Sequence, residues 1–176
     1  NTNSKSPWIL SKNISKIMPR NSSIVNITSL GSQRVLSNYF SVGLSKSSLE
    51  SMTRYLSIEL AEKGIRVNSI SPGIIKTRAL DSFPDDADVN KSDLYQTPAG
   101  KPLEGKDVSN LVNFLISDES NMIRGQNIII DGGRSLGIMS SRKVVSSTVS
   151  SDNPASMTRR KSSLVISSNG KCKAFG

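Results

Sequence analysis

Three side chains recur at intervals that suit one chemical step: Ser29, then Tyr39 ten residues on, then Lys46 seven beyond that, in Asn38-Tyr39-Phe40-Ser41-Val42-Gly43-Leu44-Ser45-Lys46. In a helix each residue advances about 100°, so seven steps return to nearly the same face two turns on. A phenol at the start of a helix and an ammonium two turns later can therefore address one ligand. Tyrosine alone is a poor acid at neutral pH. A neighbouring lysine cation favours the phenolate and eases donation or sharing of the phenol proton, and a serine hydroxyl can orient the same substrate oxygen. Taken singly, each residue also has an ordinary role: Tyr39 as half-buried packing, Lys46 as a solvated helix lysine, Ser29 as a cap at a strand end.

Bringing these groups together takes a strand, a turn and a helix in succession. Ile24 to Thr28 reads as a strand that ends beside Ser29. Ser41 to Lys63 reads as the longest helix, with Leu44, Leu49, Met52, Tyr55, Leu56 and Leu60 on a broad apolar face and Gly64 as its stop. Ahead of them, Ser4 to Met18 carries Trp8, Ile9, Ile14, Ile17 and Met18 at mixed helical spacing, with Pro7 acceptable in the first turn and Pro19 closing the segment. Beyond them, Arg66 to Ile70 reads as a strand. Asp107 to Ser117 reads as a capped helix with Val108, Leu111, Val112, Phe114 and Leu115 inside, and Ile128 to Ile130 as a short buried strand. No internal repeat is visible. Strands alternating with helices imply βαβ units and an α/β fold built on a parallel, doubly wound sheet.

Composition bounds the alternatives. With 176 residues, 35 % of them hydrophobic, the chain can bury one domain core, and it holds no run of about 18 apolar residues able to cross a membrane. No signal peptide opens the chain at Asn1, although a start without methionine says nothing of what precedes it. The single cysteine, Cys172, excludes an intrachain disulfide and a cysteine-cluster metal site; the absence of histidine excludes histidine triads and His-ligated zinc. No metal site is expected, and a reducing cytoplasm fits best. The net charge of +9 raises nucleic acid as a partner, but residues 1–138 hold 16 Lys and Arg against 13 Asp and Glu, while 139–176 hold 7 against 1. Most of the excess lies in a serine-rich tail with Arg159-Arg160-Lys161, so neither nucleic acid nor a membrane is expected as a partner. Residues 139–176, with few large apolar side chains to repay ordering entropy, read as a disordered extension or linker. Within them Leu164-Val165-Ile166 has the composition of an edge strand.

Around the Tyr39-Lys46 pair the sequence resembles the short-chain dehydrogenase/reductase family over about Asn1 to Leu136. Ile24-Val25-Asn26-Ile27-Thr28-Ser29 is similar to the family's strand ending in the catalytic serine. Ile65-Arg66-Val67-Asn68-Ser69-Ile70-Ser71-Pro72-Gly73 is similar to its next strand and the Pro-Gly turn under the nicotinamide. Gly125-Gln126-Asn127-Ile128-Ile129-Ile130-Asp131-Gly132-Gly133 is similar to its last strand. Most members carry tyrosine four residues before lysine, where this chain has Val42, and valine cannot transfer a proton. The seven-residue interval resembles the enoyl-acyl-carrier-protein reductase branch. Ser29-Leu30-Gly31-Ser32, Asn38-Tyr39, Thr53-Arg54-Tyr55-Leu56 and Met122-Ile123-Arg124-Gly125-Gln126 most resemble its type III, NADPH-using bacterial members.

The resemblance implies reduction of the 2,3 double bond of a trans-2-enoyl thioester, carried on acyl carrier protein or CoA, in fatty-acid or polyketide synthesis. NADPH is the implied cofactor, with NADH possible. Tyr39 and Ser29 would bind the thioester oxygen and Lys46 the nicotinamide ribose. Pro72, Gly73, Ile75 and Thr77 resemble the nicotinamide and pyrophosphate contacts. Thr2-Asn3 resembles the active-site asparagine, whose main chain holds a water connected to the lysine; Asn3 also reads as a helix N-cap, and the two roles are compatible. Arg78 to Gly100 resembles the variable substrate loop, which is usually a lid when ordered. The glycine-rich turn that holds the dinucleotide pyrophosphate in this architecture is found nowhere in the chain. The expectation is therefore the carboxyl-terminal half of a Rossmann-type domain, residues 1–138, inactive alone and forming a homodimer or homotetramer when complete. A short-chain carbonyl or 3-ketoacyl reductase, and a non-catalytic half-domain acting as an assembly piece, stand as alternatives.

Overall fold

A computed structural model describes residues 3–75 and 95–136 in full, together with the backbone of 163–166 and 172–175. The chain divides into two units, 1–140 and 141–176. In the first, the order is α1 (Lys5–Ile14), β1 (Ser23–Ile27), α2 (Phe40–Glu59), β2 (Arg66–Pro72), α3 (Gly105–Ile116) and β3 (Asn127–Ile130). The strands form one parallel sheet in the order β1-β2-β3, with Ile24 opposite Val67 and Ile70 opposite Ile128. This is the α/β architecture expected from the alternation of elements.

Helices cover both faces of the sheet because β2 alternates between two sets of partners. On one face Val67 joins Leu56 and Leu60 of α2 and Ile65 in the core, with Met18, Ile24 and Met52 packed against it. On the other, Arg66 and Asn68 reach the end of α3 and the segment that follows it. Every residue from Arg66 to Ser71 is buried, as a central parallel strand requires.

Arg66 does unusual work for a buried residue. Its guanidinium donates to Ile116 O (3.2 Å), Ser117 O (3.0 Å) and Asn121 Oδ1 (2.5 Å), closing the carboxyl end of α3, where the last carbonyls lack helical partners. The other end of α3 is closed by a reciprocal cap: Glu104 N donates to Asp107 Oδ2 at 3.0 Å, and the Glu104 side chain accepts in return. α2 ends at Glu59 with Leu60 as its C-cap, short of the expected Lys63, and Gly64, at φ +70°, a conformation glycine adopts without penalty, turns the chain toward β2 instead of stopping the helix.

Several expectations need correction. The apolar face of α2 is narrower than the sequence suggests: Leu49, Leu56 and Leu60 are buried and Met52 is half-buried, but Leu44 and Tyr55 are exposed. β3 is not a buried strand, since Ile129 is exposed at the sheet's edge among the described residues. Asn3 is not the N-cap of α1; that position belongs to Ser4. The sequence from Pro72 does not turn at once, because Gly73 N continues the ladder to Ile130 O at 2.8 Å and Ile75 forms a parallel bridge with Leu103.

In the second unit, β4 (Ser163–Ile166) pairs antiparallel with β5 (Cys172–Phe175). The expectation of disorder across 139–176 therefore does not hold at these eight residues, and the Leu164-Val165-Ile166 run is a strand. Residues 78–94 of the expected lid lie outside the described residues.

Candidate active site

β1 delivers Ser29 to the carboxyl edge of the sheet. The chain extends past Ile27 with Thr28 N bonded to Ile70 O at 2.7 Å, then folds into a single 3-10 turn, Leu30–Ser32. A short loop leads to Asn38, whose φ of +56° is left-handed, a conformation that asparagine accepts more readily than most residues. This bend sets Tyr39 as the first residue of α2's cap, and Gly43 N closes the first helical turn onto Tyr39 O at 2.7 Å.

The phenol so delivered meets the serine: Tyr39 Oη donates to Ser29 Oγ at 3.2 Å. Two glycines make room for it. A Cβ on Gly43 would stand 2.6 Å from Gly31 O, and one on Gly31 would strike the Tyr39 ring. Tyr39 and Ser29 are both half-buried, facing outward from the sheet edge.

Lys46, two turns into α2, donates to Ile27 O at 2.9 Å. Burial pushes its ammonium below the ordinary lysine value. Asn3 lies nearby, its Nδ2 donating to Ser45 Oγ at 3.2 Å, and Asn3, Ile27 and Lys46 share the lining of one open groove of about 530 Å³. That groove follows β1 from Ser23 to Ile27 beneath Leu10 and Ile14 of α1; neither Ser29 nor Tyr39 lines it. The structure thus brings Ser29 to Tyr39, and Asn3 to the neighbourhood of Lys46. Thr77 lies outside the described residues.

Pro72 ends β2, and Gly73 and Ile75 follow it, on the same sheet edge. A side chain on Gly73 would lie 2.8 Å from Asp131 Cβ, so the glycine serves the approach of β2 to β3. Asp131 accepts from Gly133 N at 2.9 Å and Ser135 N at 2.6 Å. Burial opposes its charge, but the bonds from Ser135 and Gly133 and the nearby Arg134 outweigh it and hold the carboxyl below its usual range.

A group that the sequence reading passed over is Glu50, a buried carboxylate one turn beyond Lys46 on α2. The available signal was its place on the same helical face as Lys46 and Thr53, where an apolar residue would ordinarily stand. Among the described residues, no cluster of three or more Asp, Glu, Cys or His side chains could hold a metal ion, and no helix is long and apolar enough to cross a membrane.

A parallel α/β sheet with helices on both faces defines the class as a Rossmann-type fold, and Ser29, Tyr39 and Lys46 lie toward the carboxyl edge of its strands. The family model described as enoyl-(acyl carrier protein) reductase matches residues 1–135. The chain belongs to this family. It is 39 % identical over 112 residues to the enoyl-acyl-carrier-protein reductase (NADH) FabI of Enterococcus faecalis, covering 64 % of this chain and 45 % of that protein. It is 36 % identical over 116 residues to a 3-alpha-(or 20-beta)-hydroxysteroid dehydrogenase of Mycobacterium tuberculosis, covering 66 % and 42 %. Among solved structures, the Bacillus cereus enoyl-acyl carrier protein reductase with NADP+ and indole naphthyridinone superposes with a TM-score of 0.70 at 30 % identity, covering 77 % of this chain and 53 % of that one. FabI from Candidatus Liberibacter asiaticus gives 0.71 at 29 %, covering 79 % and 54 %. The chain spans about half the length of the curated relatives it matches.

The described residues fit one end of a nicotinamide dinucleotide. A partly buried ammonium and two adjacent hydroxyls are donors of the kind a ribose and a carbonyl oxygen would take.

Proposed function

We propose that this chain carries the catalytic half of an enoyl thioester reductase that acts on trans-2-enoyl groups held by acyl carrier protein or CoA. The observation that carries the reading is the 3.2 Å contact between Tyr39 Oη and Ser29 Oγ, with Lys46 two turns along the same helix. When bound, the reduced nicotinamide would supply the hydride that the double bond takes up at its β-carbon. As negative charge then grows on the thioester oxygen, the Tyr39 and Ser29 hydroxyls are the donors aimed at it. Preorganised donors of this kind are worth about 2.7–4 kcal/mol each. Lys46 holds the ribose and raises the local positive potential. Asn3, bonded to Ser45 beside Lys46, borders the water-accessible groove behind that lysine. Pro72, Gly73, Ile75 and Thr77 are read as the nicotinamide-side contacts.

NADPH is the proposed cofactor on the residue resemblance to type III members. The Enterococcus faecalis relative is named for NADH, and the Bacillus cereus structure holds NADP+, so comparing the two reduced cofactors is part of the test. The pyrophosphate-holding glycine turn is proposed to come from an amino-terminal half outside Asn1 to Gly176. The position of β1 at the end of the sheet supports this, because among the described residues no strand pairs with its side away from β2. The working location is the cytoplasm.

A carbonyl reductase is the second reading, favoured by the similarity to the hydroxysteroid dehydrogenase. Against it, Val42 occupies the place where its chemistry needs a phenol. The deciding experiment restores an amino-terminal half in cis or in trans and offers 2-enoyl and 3-ketoacyl thioesters in turn. Oxidation of the cofactor with the enoyl substrate alone is expected. Turnover of the 3-ketoacyl substrate alone would overturn the assignment, and turnover of neither would favour a non-catalytic half-domain.

A further inference from the structure

Glu50 is 5 % exposed and takes no part in the chemistry proposed above. Its Oε1 accepts from Ser32 Oγ in a short bond and from Asn127 Nδ2 at 2.9 Å, and its Oε2 accepts from Gln33 Nε2 at 3.0 Å. An ionised carboxylate only accepts, so one charge satisfies all three donors. Two of those donors belong to the turn that follows Ser29. The third, Asn127, turns its Oδ1 toward Thr28 Oγ1 (3.1 Å) and Ser69 Oγ (2.9 Å), and Thr28 immediately precedes Ser29. Ser32 Oγ also lies 2.6 Å from Ser29 O, a second acceptor that shares its one proton with the carboxylate. The carboxylate therefore holds the turn after Ser29 directly and Thr28 before it through Asn127, while anchored to α2, the helix that Tyr39 caps.

We infer that Glu50 is a positioning residue: its carboxylate ties the Ser29 turn to α2 and so sets the separation of the Ser29 and Tyr39 hydroxyls. The inference rests on the reading of that pair as the group facing the substrate oxygen. Without the tie, the turn is held to the helix mainly by Ser47 Oγ, which donates to Ser32 O, and by the close approach of Gly31 to Gly43.

The test reads the pair directly, by fluorine NMR of the 176-residue chain labelled with 3-fluorotyrosine, the Tyr39 resonance being assigned with Tyr39→Phe. In the wild-type chain, Ser29→Ala is expected to move that resonance. Glu50→Gln replaces an acceptor oxygen with a donor among donors; it should displace the Tyr39 resonance and reduce its further response to Ser29→Ala by about half or more, as coupled groups do. Spectra are recorded well below each variant's melting temperature. A Glu50 that merely stabilised the fold would lower that temperature and leave the Ser29→Ala response whole, and this result overturns the proposal. Gln33→Ala, at an exposed position, removes one donor and is expected to shift the resonance in the same direction by less. Should Glu50→Gln fail to fold, an unmoved Tyr39 resonance in both Gln33→Ala and Ser32→Ala overturns it equally. A wild-type chain that shows no response to Ser29→Ala refutes the hydroxyl pair itself. Loss of the coupling in Glu50→Gln, in a protein that turns over no enoyl thioester when its amino-terminal half is restored, supports the positioning role and counts against the reductase reading alone.

Discussion

At the scale of single residues, the site depends on a phenol that is held rather than merely present. Tyr39→Phe keeps the ring against Gly31 and removes one donor, so turnover of a 2-enoyl thioester in a protein completed with its amino-terminal half is expected to fall at least about tenfold. Val42→Phe changes packing only and should not substitute for the lost phenol. A Tyr39→Phe variant with its full rate, under rate-limiting hydride transfer, would remove the phenol from the mechanism. Lys46 gives a pH test. Burial lowers its folded-state value below the ordinary 10.5, so between the two values the unfolded chain binds more protons and stability rises with pH. The melting temperature of the wild-type chain should therefore climb more steeply than that of Lys46→Met as the pH approaches 10.5 from below. Equal slopes would mean that the ammonium is not desolvated by folding.

Elements hold these residues through a few close approaches. The Leu30–Ser32 turn lies so near α2 that Gly43→Ala must push the two apart, since its Cβ would stand 2.6 Å from Gly31 O. Turnover by the completed protein should fall with little change in far-ultraviolet circular dichroism; unchanged turnover would show that the turn gives way elsewhere. The junction of β2 with α3 rests on Arg66, whose buried guanidinium answers two helix-end carbonyls and Asn121. Arg66→Leu leaves those partly buried groups unpaired, and about 3 kcal/mol of stability in urea unfolding is the expected loss, at about 1 kcal/mol for each, the low end for unpaired groups. Arg66→Lys should recover only part of it, because an ammonium lacks the planar fork that reaches all three oxygens.

For the whole molecule, the open side of β1 and the exposed apolar side chains of the helices set the expectations. Trp8 and Ile17 near α1 and Phe40, Tyr55 and Ile58 at α2 are exposed. Met52, Leu56 and Leu60 are wholly or partly taken up by packing within the chain. The complete protein is expected to be a homodimer or homotetramer that buries this surface, and Tyr55→Glu with Ile58→Glu should shift its sedimentation toward the monomer. A wild-type monomer would refute the oligomer. The 176-residue chain alone is expected to show no enoyl turnover, because pyrophosphate and adenosine contacts supply much of the cofactor's affinity in this fold. Saturable micromolar NADPH binding with turnover by the chain alone would overturn that expectation.

The order of elements, the parallel sheet and the nearness of Tyr39 to Ser29 were legible from the sequence, because helical and strand periodicities and the spacing of the three groups are local properties of the chain. Arg66 and Glu50 were not, since a buried charge is intelligible only when its partners are known, and theirs lie on other elements, 17 to 77 residues away. The same holds for Gly73: the sequence marks a Pro-Gly turn, whereas its neighbour across the sheet, Asp131, makes it a point of close strand contact. Which of the apolar residues of α2 face the core was likewise decided in three dimensions, because a broad stripe of leucines and aromatics does not specify how much of its width one sheet will cover. Local pattern determined what each segment is; the tertiary contacts determined which of its side chains are spent on packing and which remain for chemistry.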